Sequence, residues 1–211
     1  MSAKAILINV IVIVVILVGA GAGIYYYNQA SSYVKTDNAQ VAGQAINLVS
    51  PAAGQLRQWT GTVGKEFTAG QKLGSVSGSG TAVDVTMPSA GTVVQSTASE
   101  GGLVSAGTVL GRAYDFNNLW ITANIEETRI SDIKVGQTVD VYVDAYPGTT
   151  LTGRVDTIGL ATAATFSLLP TSNSSANYTK VTQVIPVVIT IEGYKGLGIV
   201  PGMNASVRVH I

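Results

Sequence analysis

The stretch Pro88–Gly111, PSAGTVVQSTASEGGLVSAGTVLG, rewrites Pro51–Gly74, PAAGQLRQWTGTVGKEFTAGQKLG, at an offset of 37 positions. Ten of the 24 positions are identical without a gap: Pro51/Pro88, Ala53/Ala90, Gly54/Gly91, Gln58/Gln95, Thr60/Thr97, Gly64/Gly101, Ala69/Ala106, Gly70/Gly107, Leu73/Leu110 and Gly74/Gly111. Leu56/Val93 and Phe67/Val104 keep apolar character. Chance matching of Gly and Ala does not bring Pro, Gln and Leu into register, so the chain holds two copies of one supersecondary unit.

Each copy follows one physical plan. A Pro at a strand edge leads to Ala-Gly, where Gly54 or Gly91 permits a turn with φ > 0. A short strand follows, and Gly64 or Gly101 supplies a second turn. An apolar residue then precedes another Ala-Gly, with Gly70 or Gly107 in the turn and Leu73 or Leu110 entering the last strand. Neither copy can bury its apolar face alone, and the two together predict a small β-sandwich.

The 211 residues suit one or two domains, and their composition narrows the class. Charged residues are only 11%, Gly numbers 24, and Val, Ile and Thr are abundant, a mixture that favours short strands and tight turns. Lys plus Arg and Asp plus Glu balance at 12 each without a basic block, which excludes nucleic acid as an expected partner. Cysteine is absent, so neither disulfides nor thiolate chemistry is available.

Ala5–Tyr27 carries no charge. At about 1.5 Å per residue a helix over it spans roughly 35 Å, enough for a hydrocarbon core of about 30 Å. Lys4 lies on one side and Tyr25, Tyr26 and Tyr27 form an interfacial belt on the other. The expectation is a single-pass anchor in the cell membrane, with residues 1–4 cytoplasmic and the bulk of the chain extracytoplasmic. A cleaved signal peptide is the rival reading, since GAGAG supplies small residues.

Beyond Leu119 the pattern changes. Val139, Val141 and Val143 alternate with Asp140, Tyr142 and Asp144, AYPGTT reads as a turn, and LTGRVDTIG as a returning strand. Ile185, Val187, Ile189 and Ile191 alternate again, as do Val207, Val209 and Ile211. EETRISDIKVGQ places Ile130 and Ile133 three apart and predicts one short amphipathic helix. Strands of this kind with one helix close into a small antiparallel β-barrel. Ala161–Gln183 mixes FSLL with TSNSSANYT, and Phe166, Leu168 and Leu169 are candidate partner contacts, with packing over the barrel end as the alternative.

Catalytic chemistry finds little support. His210 is the only histidine and is expected on the solvent face of the last strand. No catalytic, cofactor-binding or metal-ligating residue is assigned, because one His, no Cys and scattered carboxylates match no ligand spacing. Glu126 and Glu127 read as a solvated face, and Gly101-Gly102 as a turn without the Lys-Ser/Thr of a phosphate cradle.

The half-motif resembles that of biotinyl and lipoyl domains, which carry a cofactor-bearing lysine between the halves. The segment here, SVSGSGTAVDVTM, has no lysine, so no cofactor is expected. The chain more fully resembles the periplasmic adaptors, or membrane fusion proteins, of efflux pumps and secretion systems, above all the drug-efflux adaptors of major-facilitator transporters. YVKTDNAQVAG, VSPAAGQL, NNLWITANIEETRISDIKVGQTVDVYVDAYPGTTLTGRVDTIG and TFSLLPTSNSSANYTKVTQVIPVVI carry the resemblance, in the family's order and over nearly the whole chain.

The resemblance implies a mainly β protein: an anchor at 5–27, a linker and first strand at 28–48, a lipoyl-like barrel-sandwich hybrid at 49–113, and a β-barrel domain with C-terminal strands at 114–211. It implies no enzymatic activity, a homo-oligomer, and assembly on a polytopic transporter of major-facilitator or, failing that, ABC type. The alternative is an independent cell-envelope binding protein with the same folds. One departure stands out. Most such adaptors place a long α-helical hairpin between the halves, whereas Ser75–Asp84, SVSGSGTAVD, is too short for two helices and reads as a flexible linker. Either the organism has no outer membrane to reach, or the hairpin has been removed.

Overall fold

β-Branched residues in alternation build most of this chain into strands, and Gly-centred turns break it at short intervals. The computed structural model describes residues 12–21, 32–78, 81–166 and 182–211. Twelve strands follow in order: β1 Tyr33–Val49, β2 Gly54–Arg57, β3 Glu66–Phe67, β4 Lys72–Ser77, β5 Ala82–Thr86, β6 Gly91–Ser96, β7 Leu103–Val104, β8 Val109–Glu126, β9 Thr138–Val143, β10 Thr150–Ile158, β11 Val184–Glu192 and β12 Asn204–His210. They divide between two compact units, with β1 and β8 contributing residues to both.

The first unit contains the repeat and comprises Gln40–Ile121 and Tyr194–Met203. Within it the order β5-β4-β2-β7 mirrors the order β8-β6-β3. Advancing β2 and β4 by 37 positions lands on β6 and β8: Gln55 pairs with Ser77, and Thr92 with Tyr114. The short strands cross over, because β7 of the second copy pairs with β2 of the first, and β3 of the first with β6 of the second.

The turns cross over as well. The Gly64 N–H donates to the Val93 carbonyl at 2.8 Å, and the Gly101 N–H to the Leu56 carbonyl at 2.7 Å. Val93 N–H donates to Lys65, Leu56 N–H to Gly102, Gly70 N–H to Met87, and Gly107 N–H to Ser50. Each bond has its twin 37 positions away. The Trp59 indole N–H, donating to Ser96 Oγ at 3.0 Å, joins two equivalent positions of the repeat. The sandwich expected from the repeat is thus an interlocked pair, whose core gathers Leu48, Leu56, Phe67, Leu73, Val76, Val85, Met87, Val93 and Leu110. Each such fully buried side chain contributes about 1.5–3 kcal/mol relative to exposure.

The repeat's glycines serve two different demands. Gly70 and Gly107 sit at φ of +76° and +80°, with nothing within 4 Å of the place a Cβ would take. Gly54 and Gly91 open β2 and β6 and answer to space instead. A Cβ on Gly54 would stand 2.4 Å from the Ser77 carbonyl oxygen, and one on Gly91 2.8 Å from that of Tyr114. For Gly91 this corrects the turn reading: its backbone is not in the positive-φ region, and close strand approach excludes the side chain.

The supposed linker is also corrected. Ser75, Val76 and Ser77 pair with Asp84, Val83 and Ala82, so β4 and β5 form a hairpin and only residues 78–81 connect them. Val76 within it and Val85 just beyond it are fully buried, and a segment fixed in the core at both ends cannot behave as a free tether. Residues 79 and 80 lie outside the described residues.

The second unit comprises the described residues of Met1–Ala39, Thr122–Gly193 and Asn204–Ile211. Its strands run β1-β12-β9-β10-β11-β8, and pairing of β8 with β1 closes a six-stranded barrel that leaves no free edge. Val139, Val141, Val143, Val187, Ile189, Ile191, Val207 and Val209 point inward, as their alternation predicts, while Ile211 is exposed. The expected amphipathic helix is a six-residue 3₁₀ turn, Glu127–Asp132, which buries none of its own residues; Ile133, just beyond it, is buried. Residues 12–21 are helical, and no helix among the described residues is long and apolar enough to cross a membrane. The rest of Ala5–Tyr27 lies outside the described residues.

Replacing Gly70 or Gly107 by Val forces a β-branched residue into the left-handed region, at a cost of about 1–3 kcal/mol. Urea unfolding of the chain should show that loss at either position. Unchanged midpoints would disprove the conformational demand.

Candidate functional site

Among the described residues, side chains gather into surface clusters and clefts at four places. The first is the β4–β5 end, where the resembled carrier domains place a lysine and the resembled adaptors a helical hairpin. Here Lys72 Nζ lies 2.6 Å from Asp84 Oδ1 across the hairpin, both half-exposed. An exposed pair of this kind is worth about 0–1 kcal/mol. Residues 78–81 are Gly, Ser, Gly and Thr, with no nucleophilic amine and no length for a helix.

The second place is a polar cleft of about 390 Å³ in the barrel, lined by Lys35, Asp37, Glu126 and Arg129 among others. Thr36 Oγ1 donates to the Asn124 carbonyl, and Asn124 Nδ2 to Asn38 Oδ1, which braces β1 against β8 beside it. Arg129 Nε is held by Asp132 at 3.0 Å. Two cations and two acids leave the lining without net charge, and no group of metal-ligating side chains exists among the described residues.

The third is an apolar cleft of about 380 Å³ in the unit that holds the repeat, walled by Phe116, Tyr194, Ile199 and Val200. Tyr194 is buried and fixes this wall. Its hydroxyl donates to the Asn117 carbonyl at 2.6 Å and accepts the Leu119 N–H at 3.1 Å. Sequence reasoning passed over Tyr194; the available signal was a lone aromatic in the glycine-rich run GYKGLG.

The fourth lies on the barrel's outer face, where Tyr33, Asp140, Tyr142, Arg208 and His210 meet. Arg208 stands over two rings, 5.4 Å from the Tyr33 centroid and 5.8 Å from that of Tyr142. His210 Nε2 is 3.0 Å from Asp140 Oδ2, and its ring meets Tyr33 edge-on. His210 is therefore on the outward face, half-exposed and engaged with an acid. The cluster escaped the sequence because its members come from three strands, β1, β9 and β12.

Of the residues singled out in the sequence, Gly54, Gly70, Gly91 and Gly107 frame the repeat's turns and strand starts. Phe166 closes a 3₁₀ turn, Ala163–Phe166. Leu168, Leu169, Tyr25, Tyr26 and Tyr27 lie outside the described residues.

Comparison with known proteins gives these surfaces a context. Residues 44–115 match the family model described as YhbJ, barrel-sandwich hybrid domain, and residues 118–210 that described as CusB-like, beta-barrel domain. The Bacillus subtilis (strain 168) protein named "Putative efflux system component YhbJ" is 46% identical over 206 residues, covering 98% of this chain and 92% of that protein. The colistin resistance protein EmrA of Acinetobacter baumannii is 41% identical over 96 residues, covering 45% of this chain but 27% of its own length. Among solved structures, a MacA-MexA chimera containing the Pseudomonas aeruginosa MexA α-hairpin domain shares the fold, with a TM-score of 0.68 at 14% identity. That match covers 85% of this chain and 82% of the chimera. In the present chain, four residues separate β4 from β5.

Tyr194→Phe should cost about 1–3 kcal/mol, because the buried Leu119 N–H loses its acceptor. A melting temperature equal to that of the parent would show that the hydroxyl does not hold this wall. Doubling the 78–81 loop with Gly and Ser should cost only about 0.6 kcal/mol. A loss of several kcal/mol would mean that the loop itself organises the hairpin.

Proposed function

The chain belongs to the periplasmic adaptor, or membrane fusion protein, family, which is non-enzymatic, and from that premise we propose that it is the anchored adaptor subunit of a drug exporter. It serves an efflux system at the cell envelope by binding and assembly. The reading adds three things: an anchor at Ala5–Tyr27, a polytopic exporter of major-facilitator type as partner, and self-association into a ring or partial ring on the exporter's exterior face. An apolar run of 23 residues with a tyrosine belt supports the anchor. Likeness over 96 residues to the colistin resistance protein EmrA supports the exporter class.

One observation carries the mechanism: the two half-motifs lock together, and only four residues connect β4 to β5 between them. A lipoyl-like unit without an inserted hairpin has no long arm with which to reach a distant channel. Its work is then local, at the membrane where the exporter sits, and suits an envelope without an outer membrane. Tethering raises the adaptor's effective concentration beside its partner, so modest contacts suffice for assembly. Energy for transport comes from the partner, since the chain has no nucleotide motif and its apolar segment has no proton-relay residue.

The test is a mild-detergent pull-down of the full-length tagged chain from its native membrane, with partners identified by mass spectrometry. Recovery of a polytopic exporter in near-stoichiometric amount is expected, and its sequence names the transporter class. Recovery of the chain alone, under conditions that preserve other membrane complexes, points instead to an independent envelope protein.

A further inference from the structure

We propose that Arg208, held between Tyr33 and Tyr142 on the outer face of the barrel, is a phosphate-binding position filled by the headgroup of an anionic lipid, a proposal that rests on the anchored reading above. The Arg208 side chain makes no hydrogen bond and no ion pair with any described residue; it stands against the two tyrosine rings. Its Nε is sealed from solvent without a partner. Buried donors are normally satisfied, so a guanidinium left in this state calls for an explanation.

An obvious protein partner is at hand and is not used. Arg208 stands directly opposite Asp140 in the β12–β9 ladder. The Asp140 carboxylate turns instead to His210, 3.0 Å away. Meanwhile the rings of Tyr33 and Tyr142 fix the guanidinium by cation–π contact and leave its Nη N–H donors without acceptors among the described residues. A planar fork of N–H donors, pre-oriented and partly stripped of water, matches two oxygens of a phosphate in a bidentate contact.

Position selects the source of that phosphate. The Ile211 N–H donates to the Ser32 carbonyl, which sets the end of β12 beside the point where the chain enters the barrel. Only residues 28–32 separate Tyr33 from Tyr27 at the end of the apolar run. Six Cα steps reach at most about 20 Å. With the run inserted, the cluster is confined to the neighbourhood of the headgroups, and the tyrosines around Arg208 suit an interface that is apolar on one side and wet on the other.

The experiment uses the full chain in a neutral detergent, titrated with dihexanoyl-phosphatidylglycerol and followed by the thermal unfolding midpoint. A saturable rise is expected. Its apparent Kd should weaken at least tenfold in Arg208→Gln and stay unchanged in Arg154→Gln, which removes the same charge from an exposed position on β10. Arg208→Lys keeps the charge without the fork and should fall between. Asp140→Asn, which removes the neighbouring carboxylate, should tighten binding. Equal responses in the parent and Arg208→Gln overturn the proposal, as does equal loss in both glutamine variants. An Arg208-dependent response to inorganic phosphate as large as that to the lipid overturns the lipid source. Because this lipid is soluble, the titration does not depend on Ala5–Tyr27 being inserted. Alkaline washing of native membranes reads the anchor separately, so failure of one reading is distinguishable from failure of the other.

Discussion

Everything in the repeat-bearing unit depends on the exchange of backbone hydrogen bonds between its two halves. Gly64 and Gly101 each send an N–H to the other copy's strand, at Val93 and Leu56. Lys65 and Gly102 receive N–H groups from the same two residues. An unmet buried backbone group costs about as much as a lost hydrogen bond, so neither copy is viable by itself. The exchange also places Leu56 and Val93, both fully buried, at equivalent positions of one core. This reciprocity explains why the chain keeps its turn residues in register over 37 positions while exposed positions drift, as Glu66 and Lys72 show against Leu103 and Val109.

The same symmetry gives the short β4–β5 connection its meaning. β5 occupies in one half the place that the end of β1 occupies in the other, since 45–49 and 82–86 are 37 apart. The hairpin is therefore an integral edge of the sandwich. A long insertion here, as in the hairpin-bearing adaptors that the sequence resembles, would extend from a framework already closed beneath it. Its absence leaves the framework intact, because the core residues Val76 and Val85 lie on the paired strands and not in the loop.

The barrel is held by a different constraint. Closure of β8 onto β1 removes the sheet edges, and alternation on β9, β11 and β12 fills the interior. Outward positions are then free for other work. The aromatic and charged cluster around Arg208 uses this freedom, since Ser206, Arg208 and His210 share one face of β12 while Val207 and Val209 hold the core. Tyr194 does comparable work in the other unit, where one hydroxyl serves two backbone groups in a glycine-rich segment.

Local pattern was enough for the elements: period-two alternation at Val139–Val143 and Ile185–Ile191, the paired Ala-Gly turns, and the repeat that announced two copies of one unit. The reason is that strands with one buried face and turns with positive φ impose residue types at their own positions. Pattern failed where a residue answers to something distant in the chain. Gly91 looks like a turn glycine but is kept small by the Tyr114 carbonyl, 23 positions on. Ser75–Asp84 has a linker's composition, yet its ends pair because Val76 and Val85 have a core to enter. EETRISDI has helical spacing but closes only a 3₁₀ turn, since Ile133 is the side chain that reaches the core. The sequence by itself determined that there are two half-motifs and a barrel's worth of strands. Only the tertiary structure decided that the halves interlock and that the Arg208 side chain is left unpaired among the described residues, because positions 24–26, 48–50 or 68 apart meet through sheet pairing, which leaves no mark on either segment alone.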